Sequence, residues 1–232
     1  MITYTLNGKV RFRTAQPASI PLAPLSVADP EESDLDFILH AFDSALPYLA
    51  SIGSQAQWGT QPFSEKQKVR EAFENYLEQS WAINSSSSSS ACMNNKASWQ
   101  HLTLYEIQKE GGQWTRVAAQ GVSTSFPSYV PQSLAGKETR ERSNYIYLNY
   151  LIADRRTGQQ AKGAGDRLVA FAQEEARGKG KTIFFGDCWR GNGDGLMRYY
   201  RKLGFEPVGP FDVENKHGPG LHWTGYLFQQ TL

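Results

Sequence analysis

The stretch Gln159-Gln160-Ala161-Lys162-Gly163-Ala164-Gly165 sets two spaced glycines at the mouth of a helix-periodic segment, in the pattern Gln160-x-x-Gly163-x-Gly165. Glycines at such positions let successive backbone N–H groups turn toward one point with no Cβ in the way. A helix start adds unpaired N–H groups and a favourable dipole, so the segment suits an anion, and a pyrophosphate in particular. Lys162 and Arg167 lie beside it, whereas Arg177, Lys179 and Lys181 fall at the far end of the helix as dipole-compensating charge. A plain loop-to-helix turn carries the same glycines, so the pattern alone leaves both readings open. Further on, Leu196, Tyr199, Tyr200 and Leu203 share one helical face ahead of Gly204, a natural terminator. That stripe fits core packing as well as a phenol presented to a ligand. Asp187, Asp154 and His222 are the candidate bases, and Cys188, at a strand end, reads as a small buried hydrophobe.

Two phosphate-binding patterns compete for the glycine segment. The dinucleotide fingerprint Gly-x-Gly-x-x-Gly nearly fits, with Asp187 placed to hold a ribose, but its third position is Leu168 and a ten-residue polar loop, Ala153 to Lys162, separates strand from glycine. The Gly-Lys-Ser/Thr ending of a Walker loop is absent. The stretch from Tyr145 to Phe205 instead resembles the GNAT acetyltransferase superfamily. Its acetyl-CoA motif (Arg or Gln, two residues, Gly, one residue, Gly or Ala) is matched by Gln160, Gly163 and Gly165, and Tyr199-Tyr200-Arg201-Lys202-Leu203-Gly204-Phe205 is similar to the family's Phe-Tyr-Glu-Lys-Leu-Gly-Phe signature. Asn192, eight residues before Tyr200, matches an asparagine common in the family.

The resemblance implies an α/β (α+β) fold: a mixed, largely antiparallel central sheet with flanking helices, here with an N-terminal β-hairpin extension over residues 1–16. It implies one acetyltransferase domain over 1–232, with the acetyl-CoA core at 145–208. Acetyl-CoA is the implied co-substrate, with no metal, and its contacts would come from Leu151, Ile152, Gln160, Ala161, Lys162, Gly163, Ala164, Gly165, Asn192 and Tyr200. In such an enzyme an amine attacks the thioester directly while both substrates are bound. Tyr200 would protonate the departing thiolate, and a backbone N–H near Leu151 would stabilise the oxyanion. The strand Tyr145–Ile152 contains no carboxylate, so Asp187 is the first candidate for the base. Trp58, in the Gln57-Trp58-Gly59 loop, and Trp223 are candidates for the acceptor pocket. A non-catalytic acyl-CoA-binding or sensing module is the alternative reading.

The elements that must position these groups are legible from periodicity. Asn7-Gly8 joins short alternating segments Ile2–Leu6 and Val10–Arg13 as a hairpin. A proline-punctuated strand is expected at Ile20–Leu25. Leu35, Ile38, Leu39, Phe42 and Leu46 form one helical face opened by the acidic stretch Asp29–Asp36, and Pro47 is expected to interrupt it or to begin a second helix. Ser64 with Gln67 patterns as a capping box for a second helix through Val69, Phe73, Tyr76 and Leu77. The serine-rich segment 84–98 reads as a polar, flexible loop. Strands follow at Trp99–Gln108, Trp114–Ser125 and Tyr145–Ile152, then helix Ala164–Ala176, strand Thr182–Asp187, helix Gly195–Leu203, and strands at Phe205–Val208 and Trp223–Phe228.

Composition bounds the partners. The chain has 232 residues, 40% hydrophobic and 12% aromatic, enough for a sizeable core. A net charge of +1 argues against a nucleic-acid binder. The balance is uneven, with 11 basic against 6 acidic residues from Asp154 to Lys202 and 10 acidic against 3 basic from Ser26 to Ser80. This suits an anionic cofactor and a cationic, small-molecule amine acceptor. Two cysteines make neither a disulfide framework nor a four-thiolate zinc site. No apolar run suits a membrane helix or a signal peptide, so a cytoplasmic protein is expected, with a homodimer as one expectation for its assembly.

Overall fold

The computed structural model describes residues 3–6, 9–20, 32–85, 99–136, 139, 141, 144–216 and 218–232. Among them lie eight strands: β1 (Thr3–Leu6), β2 (Val10–Thr14), β3 (Gln100–Gln108), β4 (Trp114–Ser123), β5 (Tyr145–Ala153), β6 (Ile183–Trp189), β7 (Glu206–Glu214) and β8 (His222–Thr231). The helices are α1 (Asp34–Ser51), α2 (Gln67–Ser85), α3 (Ala164–Gly178) and α4 (Gly191–Lys202). The chain divides into two compact units, one of Met1–Ala45, Gln61–Gly121 and Tyr150–Leu168, the other of Leu46–Thr60, Val122–Asn149 and Val169–Leu232.

In the first unit the strands run in the order β1-β2-β3-β4. β1 and β2 pair antiparallel from Thr3↔Arg13 to Leu6↔Val10, so the expected hairpin forms, and β2 pairs onward with β3. The hairpin is therefore part of the sheet; its Asn7-Gly8 turn lies outside the described residues, as do Pro21–Leu25 of the expected third strand and residues 86–98 of the serine-rich segment. Asn84 and Ser85, read as loop, are the last residues of α2. The Asn84 amide explains why, donating to the Ser80 carbonyl at 2.7 Å and the Gln100 carbonyl at 2.9 Å, while the Ser80 hydroxyl accepts the Leu102 N–H at 2.8 Å. Pro47 does not interrupt α1, which continues to Ser51. The Ser33 hydroxyl opens α1 by accepting the Asp36 N–H at 3.0 Å.

A chain of buried charges holds this unit. Arg11 and Arg13 leave the same face of β2, and both donate through Nε to Glu106 on β3, Arg13 at 2.9 Å. Arg13 then grips Asp34 at the start of α1 with both terminal nitrogens, at 2.5 and 2.7 Å. Asp34 also accepts the Gln16 N–H at 2.8 Å and Arg116 of β4 at 3.1 Å. Arg116 and Arg156 meet at Glu32, and Arg156 returns through Nε to Asp154 at 2.9 Å. Burial raises the Asp34 carboxyl, but the charge and hydrogen bonds of Arg13, with Gln16 and Arg116, outweigh it and hold the group below its ordinary value.

The second unit runs β5-β6-β8-β7. β5 and β6 are parallel, a pairing that needs a crossover such as the helix between them, and pair from Tyr145↔Ile183 to Leu148↔Gly186. β8 pairs antiparallel with both β6 and β7. Tyr145, Tyr147, Phe185, Phe211, Trp223 and Leu227 fill one core cluster.

Replacing Asp34 by asparagine leaves Arg13 buried with half its compensation, and we expect a loss of about 3–5 kcal/mol in urea unfolding at pH 7. Because the folded carboxyl sits below its ordinary 3.8, the stability it provides is complete above that pH and is lost as pH falls through the lower folded value. The variant's unfolding free energy should accordingly change less below pH 4 than that of the parent.

Candidate functional site

In the first unit, β5 delivers Leu151 and Ile152 and runs one residue past the expected end, to Ala153. The Asp154 N–H then closes on the Val117 carbonyl at 2.8 Å. The polar stretch that follows is not an open loop. Arg155–Ala161 winds as 3-10 turns, capped by the Asp154 carboxylate on the Arg156 N–H at 2.9 Å and kinked at Gly158, where φ is 59°. The Lys162 N–H is committed to the Gln159 carbonyl at 3.1 Å. Gly163 then takes φ +75°, a backbone region that suits glycine, and α3 begins. The first amide bonded back into the helix is that of Arg167, on the Gly163 carbonyl at 3.2 Å, so the amides of Gly163, Ala164 and Gly165 precede the helical ladder. Ala164 and Leu168 face the core with no exposed surface, whereas Gln160, Lys162, Gly163 and Arg167 are exposed. Ala161 and Gly165 are half-buried. The arrangement presents backbone donors and flanking cations to an anion.

In the second unit, Tyr200 is buried on the inner face of α4, its ring stacked on Phe228 at 4.2 Å between centroids. Gly186 makes room for that stack: a Cβ there would come within 2.5 Å of the Phe228 ring. Burial, and then the proximity of Cys188, Tyr199 and Asp187, push the Tyr200 phenol well above 10, so it stays protonated at neutral pH. Cys188 is pushed up to about 12 by burial and by Asp187 and Asp194, which makes it a neutral thiol. α4 opens on three residues in left-handed conformation, Asn192, Gly193 and Asp194, with φ of 53°, 59° and 60°. The Asn192 amide donates to Ser54 Oγ at 3.0 Å.

Asp187 lies one residue past the last position at which β6 pairs with β5, and opposite Leu227 on β8. Its Oδ1 accepts the hydroxyls of Tyr147 and of Tyr129, the latter at 3.0 Å. Its Oδ2 faces Lys216 Nζ at 3.6 Å. The same ammonium sits 3.3 Å from the Trp223 ring centroid and 4.0 Å from that of Tyr129. Trp223 donates through Nε1 to the Gln57 carbonyl at 3.1 Å, which pins the loop carrying half-buried Trp58. Trp223 and Asp187 thus belong to one cluster. The other two carboxylate or imidazole candidates have different work: Asp154 caps the 3-10 turn, and exposed His222 pairs with Glu214 at 2.7 Å. Sequence reasoning missed Lys216, Tyr129 and Tyr147, which converge on Asp187 from segments that share no spacing pattern.

No protein-family model and no curated protein matches the chain by sequence. Solved structures do match by fold. A ribosomal-protein-alanine N-acetyltransferase from Brucella melitensis superposes with a TM-score of 0.54 at 18% identity, over 95% of this chain and 99% of that one. A ribosomal-protein-S5-alanine acetyltransferase from Vibrio fischeri gives 0.56 at 11% identity, over 100% and 97%. A GNAT-family acetyltransferase from Desulfovibrio desulfuricans, described as putative, gives 0.53 at 11%, over 96% and 98%. This chain has the GNAT fold. The GNAT fold's mixed, largely antiparallel sheet is therefore the architecture that the residues above decorate. No helix among the described residues is long and apolar enough to cross a membrane, and no group of three or more metal-ligating side chains occurs among them.

A thiol raised to about 12 is almost wholly protonated at pH 8, so Cys188 should resist Ellman's reagent in the native protein and react promptly in urea. The measurement is made in a Cys92→Ser background so that one thiol is counted.

Proposed function

We propose that this protein is an acetyl-CoA-dependent N-acetyltransferase that passes the acetyl group to an amine, of a small molecule, by direct attack with both substrates bound. The observation that carries the reading is the opening of α3: within a GNAT fold, Gln160-x-x-Gly163-x-Gly165 sets a positive-φ glycine, Gly163, directly before helix-start amides flanked by Lys162 and Arg167. Those donors fit a diphosphate, which has no proton to offer and several oxygens to accept. A solved structure from Salmonella typhimurium, described as a putative acetyltransferase with its cofactor acetyl-CoA, has a similar fold at a TM-score of 0.53 and 14% identity.

In this reading the amides of Gly163, Ala164 and Gly165 hold the diphosphate, with the Gln160, Ala161 and Lys162 turn beside it. Leu151 and Ile152 supply strand backbone for the cofactor's arm, and the Leu151 N–H stabilises the oxyanion, an effect of about 3–4 kcal/mol for one such donor. Asn192 orders the start of α4. Tyr200 gives its proton to the departing thiolate, a role its neutral phenol suits. Asp187 attracts the acceptor's ammonium and takes its proton, and Trp58 and Trp223 line the acceptor side. The neutral Cys188 thiol is not a nucleophile, in keeping with direct transfer. The expected compartment is the cytoplasm.

The test is a screen of amines for release of free CoA by the purified protein. CoA binding without release across a broad panel would make the chain a binding or sensing module instead. Tyr200→Phe should lower kcat by about 10²-fold or more while the acetyl-CoA dissociation constant stays unchanged. Equal turnover would remove Tyr200 from the acid role. Gly163→Val should weaken CoA binding in calorimetry. An added Cβ at Gly163 meets nothing within 4 Å, so the weakening comes from forcing a β-branched residue to φ +75° and from crowding the ligand. Unchanged affinity would place the cofactor elsewhere.

A further inference from the structure

The environment of Lys216 is that of a bound ligand. Its ammonium lies against the faces of Trp223 and Tyr129, at 3.3 and 4.0 Å from their centroids, and opposite Asp187 Oδ2 at 3.6 Å. Two aromatic faces and one carboxylate form the kind of enclosure that recognises alkylammonium ions. Each wall is fixed independently of the lysine. Trp223 is buried on β8 and anchored through Nε1 to Gln57, and Asp187 is oriented by the hydroxyls of Tyr129 and Tyr147. Lys216 has no such support. It sits on the connection from Asn215 to Leu221 that joins β7 to β8, with Asn215 at φ 59° and Gly220 at φ 75°. Burial lowers its pKa against the pull of Asp187, so the cation is held at some cost in desolvation. Its side chain keeps 18% exposure to water, and the residue lies outside the paired positions of β7 and β8.

We propose that the Trp223–Tyr129–Asp187 enclosure is the acceptor site for a primary alkylammonium on an unbranched carbon chain, and that Lys216 is its built-in occupant, displaced when the acceptor enters. The inference rests on the acetyltransferase reading only for the word acceptor; the enclosure and its occupant are properties of the second unit alone. A tethered ammonium competes at an effective concentration in the millimolar range, so it weakens an incoming amine without blocking it and raises the threshold for weak binders. A chain such as a lysine side chain or a polyamine arm has the reach and the unbranched ammonium that Lys216 itself displays. An α-ammonium on a branched carbon does not.

The experiment uses the whole protein and n-butylammonium chloride as the probe, in calorimetry at low ionic strength, without acetyl-CoA. Lys216→Met keeps the apolar stem and removes the charge, and it should bind butylammonium about tenfold or more tightly than the parent. Lys216→Arg, whose guanidinium the bracketed carboxylate holds less well than an ammonium, should give an affinity between those of the parent and Lys216→Met, and Trp223→Leu in the Lys216→Met background should abolish it. In the unsubstituted protein, the Lys216 ε-methylene resonance should be ring-shifted upfield and return toward the free-lysine position as butylammonium is added. Equal affinity in the parent and Lys216→Met, or a Lys216 resonance that ignores saturating butylammonium, would overturn the proposal. Titrating the same proteins with acetyl-CoA separates the two ideas: failure there removes the acetyltransferase reading and leaves the butylammonium result standing or falling by itself.

Discussion

The charge chain from Glu106 through Arg13, Asp34, Arg116 and Glu32 to Arg156 and Asp154 is the constraint on which the first unit depends. Apolar burial tolerates a sheet slipping or a helix rotating by a small amount; a doubly bonded guanidinium does not. Arg11 faces Glu106 directly across the β2–β3 ladder, and Arg13, two residues on, leans to the same carboxylate. A one-residue slip of β2 would put Phe12 where the arginines are and strand Glu106 in the core with no counter-charge. Such buried pairs add little net stability over an apolar core of the same shape, because their desolvation is so costly. What they impose is a register. The chain of contacts ends at Asp154 and Arg156, the cap and first turn of the segment that carries Gln160, so the same network that fixes β2 also fixes the approach to Gly163.

In the second unit the governing effect is desolvation, and it acts differently on neighbouring groups. Tyr200 and Cys188 lie in apolar surroundings that favour their neutral forms. Asp187, on the same strand as Cys188, has two phenol hydrogens on one oxygen and an ammonium facing the other. A phenol and a thiol are thus held neutral within one small region of β6 and α4. Gly186 is what permits this. A side chain there would displace the Phe228 ring on which Tyr200 stacks, and the phenol would lose the packing that holds it neutral and in place.

Much of this was legible in the sequence, for reasons that can be named. The hairpin turn, the helical stripe of α1 and the glycine pattern before α3 are local signals, carried by residues within one or two turns of each other. The errors were also local signals, overridden from a distance. Pro47 read as a break, yet α1 continues because its apolar face is already committed on both sides of the proline. Asn84 belonged by composition to a serine-rich loop, yet its amide is required by Gln100 on another element. The segment 153–162 read as an open loop because nothing in its sequence announces that Asp154 will cap it and Arg156 will be drawn to Glu32, 124 positions away.

The cluster around Asp187 was the least legible part, and the reason is general. Trp223 and Asp187 were visible as types, since a tryptophan and a strand-end aspartate invite attention wherever they fall. Lys216 was one lysine among many, in a turn between strands, and Tyr129 was one tyrosine in a proline-bounded loop. Their significance arises only when the sheet brings β6 beside β8 and the β7–β8 connection folds over the result. Two phenols on Oδ1 leave the second oxygen of Asp187 as the one with a direction to offer, and the aromatic faces of Trp223 and Tyr129 fix what shape of cation can take it. A carboxylate so bracketed is a poor partner for a guanidinium, which would seek both oxygens at once, and a good one for a single-point ammonium. The selectivity of the enclosure is therefore written in the hydrogen bonds behind the carboxylate as much as in the rings before it.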